Sequence, residues 1–193
     1  MHALAPAPAP APRRQVFVGT ALTCGAATAL VGGMVALWMR FREVAINGPD
    51  HRWIPEDVSV PMVAANVMLI ALVPLCIFAQ WAVYSAKRDD QTHAGLALAL
   101  TGLMGISFIN AQAYVWVQMK VPADSGAYGS LFYAVTGVSL VLVIAGVAFS
   151  GVVAFRYLGG RSADRELVSA HALYWYTYSA LFTVLWFVVY VTK

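Results

Sequence analysis

Apolar residues in this chain neither alternate nor keep to one helical face. They run on without interruption between clusters of charge. Plotting every Asp, Glu, Lys and Arg leaves five uncharged windows, residues 16–39, 58–86, 91–119, 125–155 and 167–192. Each exceeds the roughly 20 apolar residues that an α-helix needs to cross a bilayer. Strands of a membrane barrel would alternate in segments of about 10 residues, so the continuous pattern predicts helices. The expected fold is all-α: a polytopic membrane protein with five transmembrane helices in a single domain, residues 15–193. Ahead of it, residues 1–14 carry the run APAPAPAP, in which each proline removes a backbone donor. That tail is expected to be a disordered, polyproline-like spacer.

Composition agrees, with 61% of the 193 residues hydrophobic and 11% charged, far from the balance of a soluble domain. The net charge of +3 calls for no nucleic acid partner. Charge also suggests an orientation. The segments that fall on the N-terminal side of the membrane hold Arg13, Arg14, Lys87, Arg88, Arg156, Arg161 and Arg165; the opposite segments hold Arg40, Arg42, Arg52, Lys120 and Lys193. Basic residues favour the cytoplasmic side, and the pair before the first span carries most weight. The N-terminus is therefore expected in the cytoplasm and the C-terminus outside, in the plasma (inner) membrane of a bacterium. The small triplet Ala27-Thr28-Ala29 resembles a cleavage site, but the apolar run continues past it and outlasts the roughly 7 to 15 residues of a signal core.

The windows contain no carboxylate, lysine or arginine, although pumps and ion-coupled transporters usually place such groups inside the membrane. Ala21, Gly25, Ala29 and Gly33 form a small-residue face that would let another helix come close. Pro74 is expected to kink the second span, and Asn66 and Gln80 to seek partners across a helix interface. Cys24 and Cys76 have no CxxC or histidine-rich neighbourhood and read as packing residues. In the fifth span His171, Trp175, Tyr178, Phe182 and Trp186 share one face, which reads as a seam against another helix or subunit rather than a ligand set. His93 and His171 each open a span on the same side, so a haem clamp is conceivable; both also lie within a few residues of a charged loop, where an imidazole needs no such role. No catalytic residue and no metal ligand is assigned.

Three ordered segments resemble a known family: NAQAYVWVQM (110–119), GAYGSLFYAVTGVSLVLVIAG (126–146) and ALYWYTYSALFTVLWFVVYV (172–191). They are similar to subunit III of haem-copper cytochrome c oxidases, in the short five-helix bacterial form, and the second span has an actinobacterial character. Gln112-Ala113-Tyr114 with Trp116 resembles the family's Gln-Ala-Tyr-Glu-Trp. Gly129, Phe132, Tyr133, Thr136 and Gly137 resemble its Gly-Ser-x-Phe-Tyr-x-x-Thr-Gly run, and Tyr174-Trp175 its last-helix Tyr-Trp. The departures are consistent in kind. Val115 stands where the family has glutamate, Ser139 and Leu142 where it has histidines, and Tyr176 and Ser179 where it has histidine and aspartate. The first helix also lacks the family's acid.

The resemblance implies an accessory, non-catalytic subunit that carries no haem or metal itself. Haem and copper would sit in partner subunits, catalytic subunit I among them, and phospholipid would bind this chain. It further implies support of assembly, lipid packing and sustained turnover in aerobic electron transport. The lost ionisable residues leave assembly and lipid packing as the expected role. Tyr114, Trp116, Tyr133, Tyr174 and Trp175 are the candidate lipid or interface residues, with residues 110–119 a helix end bearing an interfacial aromatic belt. Two other readings stay open: a haem-bearing quinol or electron-transfer anchor, and an accessory subunit of a nitric oxide reductase-type complex. A free-standing transporter fits least, for want of intramembrane charge.

Overall fold

The computed structural model describes residues 14–49, 51–122, 126–159 and 165–192; the tail through residue 13 and residues 160–164 lie outside them. All regular structure among these residues is helical. It comprises α1 (Gln15–Ile46), α2 (Met62–Lys87), α3 (Gln91–Met119), α4 (Ala127–Leu158) and α5 (Arg165–Trp186), the last continued by a π-helical turn over Phe187–Val191. All five are long and apolar enough to cross a membrane. The expected all-α, five-span architecture is therefore what the chain adopts.

Charge marks where the hydrocarbon ends, not where a helix ends. The third window and α3 coincide, whereas α1 continues past Met39 to Ile46, its extension carrying an Arg40–Glu43 ion pair at 3.3 Å. Helix α2 runs through Pro74 without a break. At the start of α3, Asp90 accepts the His93 N–H at 3.1 Å and faces His93 Nδ1 at 2.6 Å. The backbone N–H is the main reason the Asp90 carboxyl lies below its ordinary value. Lys120 closes α3 in a left-handed conformation, φ 47°.

Helix α5 is the hub. It packs on α1, α2 and α4, while α2, α3 and α4 pack in sequence beside it. The face predicted from its spacing is indeed internal: His171, Trp175, Tyr178 and Phe182 are buried and Trp186 is partly so. Two glycines make room for Trp175. A Cβ on Gly105 of α3, or on Gly146 of α4, would lie 2.9 Å from the indole Cη2. Phe108 meets Tyr178 and Phe182 edge to face, with ring centroids 5.6 and 4.6 Å away. Outward faces carry Leu22, Val63, Ile70, Leu103, Val141 and Phe155, the apolar exterior that a lipid-embedded bundle presents.

The small-residue face of α1 meets no helix of this chain among the described residues. Ala21, Gly25, Ala29 and Gly33 are all exposed, and nothing lies within 4 Å of a Cβ built at Gly25 or Gly33. Within this chain α1 packs through Cys24, Val31 and Trp38 instead. These three recur every seven residues and so share one face, which Trp38 fixes by its edge-to-face and tilted contacts with Trp53 and Tyr128.

Candidate functional site

The five positions read in the sequence as departures from the resembled pattern do not form one pocket. They are distributed along the junctions of α5 with α2 and α4, and at one position on α3. Val115 is fully buried. Ser139 is 2% exposed, its hydroxyl 3.2 Å from the Tyr178 hydroxyl. Leu142 supplies only a carbonyl, which accepts from the Tyr174 hydroxyl at 2.5 Å. Tyr176 donates to Gln80 Oε1 at 2.6 Å, joining α5 to α2. Ser179 accepts from Cys76 Sγ at 3.2 Å across the same junction. The helix junctions, from the buried Ser139 to the exposed Tyr176, are thus not merely stripped of charge. Neutral hydrogen bonds tie the helices where charges would be expensive in hydrocarbon.

The candidate interface residues separate by environment. Tyr114 is 53% exposed on the outside of α3, as an interfacial belt requires. Trp116, one turn from the end of α3, turns inward: its Nε1–H donates to Thr136 Oγ1 at 3.0 Å, and its ring meets Tyr133 at a centroid distance of 5.7 Å. The Tyr133 hydroxyl donates to the Val121 carbonyl at 2.8 Å, securing the α3–α4 connection. Tyr174 and Trp175 are buried between helices. Thus Trp116 and Tyr133 form one group at the α3–α4 end, Tyr174 and Trp175 a second group deeper in the bundle, and Tyr114 alone faces outward.

The histidines are engaged separately. His171 is fully buried, with Nε2 2.7 Å from Ser150 Oγ and 3.0 Å from Trp175 Nε1, whose N–H it accepts. Ser150 Oγ in turn takes the Trp175 N–H at 3.1 Å. His93 lies at the exposed end of α3 against Asp90. Among the described residues, no three His, Cys, Asp or Glu side chains come together as a metal site. The Ser150–His171–Trp175 cluster was only half visible in the sequence. His171 and Trp175, four residues apart, announce a shared face, but nothing local marks Ser150, 21 residues earlier, as their partner. Gln80, a lone mid-span amide, did signal a cross-helix bond.

A bundle of five spanning helices joined through neutral polar pairs is a multi-pass membrane protein, and comparison with known proteins gives its family. The description of cytochrome c oxidase subunit III matches residues 51–193, which takes in α2 to α5 and the loop before them. The chain belongs to that family. It is 27% identical over 187 residues to a probable cytochrome c oxidase subunit 3 of Mycobacterium tuberculosis, covering 90% of this chain and 88% of the relative. It is 26% identical over 180 residues to cytochrome c oxidase subunit 3 of Corynebacterium diphtheriae, covering 91% and 87%. The sea urchin Strongylocentrotus purpuratus protein of the same name is 28% identical over 144 residues, 72% of this chain and 53% of its own length.

Proposed function

We propose that this chain is an accessory, non-catalytic subunit of a respiratory haem-copper oxidase in a bacterial plasma membrane. It stabilises the catalytic subunit by apolar packing and bound phospholipid rather than by chemistry of its own. Family membership carries the reading, and the neutral helix junctions support it: Val115, Ser139 and Ser179 inside the bundle, Leu142 half-buried and Tyr176 at its surface offer no group that titrates near neutral pH. Haem and copper belong to partner subunits in this scheme, subunit I among them. This chain's His93 and His171 are already engaged, by Asp90 and by Ser150 with Trp175.

Tyr114 on the outer surface of α3 is suited to lipid or partner contact, because an aromatic ring with a polar tip is at home where hydrocarbon meets headgroups. Trp116 and Tyr133 brace that end of α3 from within, and Tyr174 and Trp175 brace the bundle deeper down. The basic residues before the first span support a cytoplasmic N-terminus. Purification in a gentle detergent tests the assignment. The chain should come out with haem-bearing oxidase subunits; a colourless, stable, solitary protein contradicts it.

A further inference from the structure

Helix α1 is held differently from the other four. Its buried side chains are Cys24, Val31 and Trp38, seven residues apart, and its main contacts are with α5 and α4. The hydrogen bonds of Thr23 and Thr28 return to α1's own carbonyls. At the end that leads into residues 47–61, Trp38 is locked in an aromatic triad with Trp53 and Tyr128, the three ring centroids 5.2 to 5.6 Å apart.

The opposite end rests on a carboxylate from another helix. α1 starts after Arg14, whose side chain makes no cap and has no acceptor to offer. The third residue of the helix, Phe17, donates its N–H to Glu166 Oε1 on α5 at 2.8 Å. That is one of the amides a Ser or Asp at the N-cap would ordinarily satisfy. Glu166 lies in the first turn of α5, so one carboxylate serves the positive ends of two helices. Its neighbour Arg165 makes a separate tie, to both oxygens of Asp89 at 2.6 Å. Beneath one turn of α1, at Cys24 and Ala27, lies a small crevice closed on the far side by Leu142, Tyr174, Thr177 and Leu181.

We propose that α1 is a latched strap, hinged on the Trp38–Trp53–Tyr128 triad and closed by the Glu166 carboxylate on the Phe17 amide. Releasing the latch lets the Gln15 end of α1 swing off the bundle and opens the crevice beneath it. The inference concerns this chain's own fold and holds whether or not the oxidase assignment does.

Pulsed spin-label distances in the full chain test it, in a Cys24→Ala, Cys76→Ala background. One label pair, at Val16→Cys and Phe155→Cys, reports the latch end; another, at Met39→Cys and Lys120→Cys, reports the hinge end. Glu166→Ala should add a longer-distance population to the latch pair and leave the hinge pair unchanged. Glu166→Gln, which keeps the volume and an acceptor but loses the charge, should add a smaller one, and it carries the test if the alanine variant does not accumulate. Arg165→Ala, which cuts the neighbouring tie to Asp89, should leave the latch pair as in the parent. A latch pair unmoved by both Glu166 changes overturns the proposal. So does a shift that appears equally at the hinge, or equally in Arg165→Ala.

Discussion

Replacing Gly146 by alanine should destabilise the bundle through Trp175, and the size of the effect can be worked out from the contacts. A Cβ at residue 146 would sit 2.9 Å from Trp175 Cη2, 2.9 Å from its Cζ2 and 2.9 Å from Tyr174 Cε1. Real Cβ atoms do not approach so closely, and both rings are buried on one helix, so the strain must be absorbed by moving α4 from α5. Overpacking of this kind costs about 1–3 kcal/mol. Trp175→Phe alone should cost a similar amount, about 1–3 kcal/mol, because it empties part of the slot and removes the N–H that Ser150 and His171 accept. The phenyl ring, however, lacks the two indole atoms that the new methyl would strike. The double variant should therefore be more stable than the sum of the singles by about 1 kcal/mol, as expected of residues in direct contact. Reversible unfolding of all four proteins in lipid bicelles measures the cycle. Singles that add to within about 0.5 kcal/mol would refute the close approach of Gly146 to the indole.

Acid should loosen the start of α3. The Asp90 carboxyl is held below 3.8, first by the His93 N–H, so its capping contribution is present above that ordinary value and lost as pH falls through the lower folded value. The protection factor of the His93 amide, the intrinsic exchange rate at a given pH divided by the observed one, should fall only below that point in the native chain and be low at every pH in Asp90→Ala. His93→Ala and His171→Ala should leave the haem absorption of the purified complex intact; loss of a band with all subunits retained would favour a haem-bearing anchor instead. Val115→Glu puts a carboxyl at a fully buried position and should lower stability by up to about 2.5–3.5 kcal/mol, without raising the rate of proton uptake; faster uptake would show that the position still serves protons.

The spans were legible because hydrocarbon imposes length and continuity, which a linear sequence displays directly. What faces lipid and what faces protein was not, because both surroundings are apolar. Ala21, Gly25, Ala29 and Gly33 had the spacing of a packed seam yet lie on the outside, whereas Cys24, Val31 and Trp38 do the packing. In α5 the same kind of reasoning succeeded, since the bulk of His171, Trp175, Tyr178 and Phe182 on one side leaves no equally good alternative. Trp116 shows a finer gap: an aromatic residue near a helix end suggests a lipid belt, but its N–H is taken by Thr136, 20 residues on. The neutral pairs Tyr176–Gln80 and Cys76–Ser179 join positions 96 and 103 residues apart. That Tyr176 and Ser179 depart from the resembled pattern could be read from the sequence; the partners they find, Gln80 and Cys76, required the fold.

The accessory role is tested most directly by the working lifetime of the oxidase with and without this chain. Purified complexes from parent and deletion strains, matched for haem, would be followed through continuous turnover. Without the chain, the initial rate and haem content should stay near those of the parent while activity decays in fewer turnovers, and adding the chain back should restore the lifetime. An oxidase that lasts as long without it, or that loses its haem or its initial rate at once, would contradict a stabilising, non-catalytic subunit.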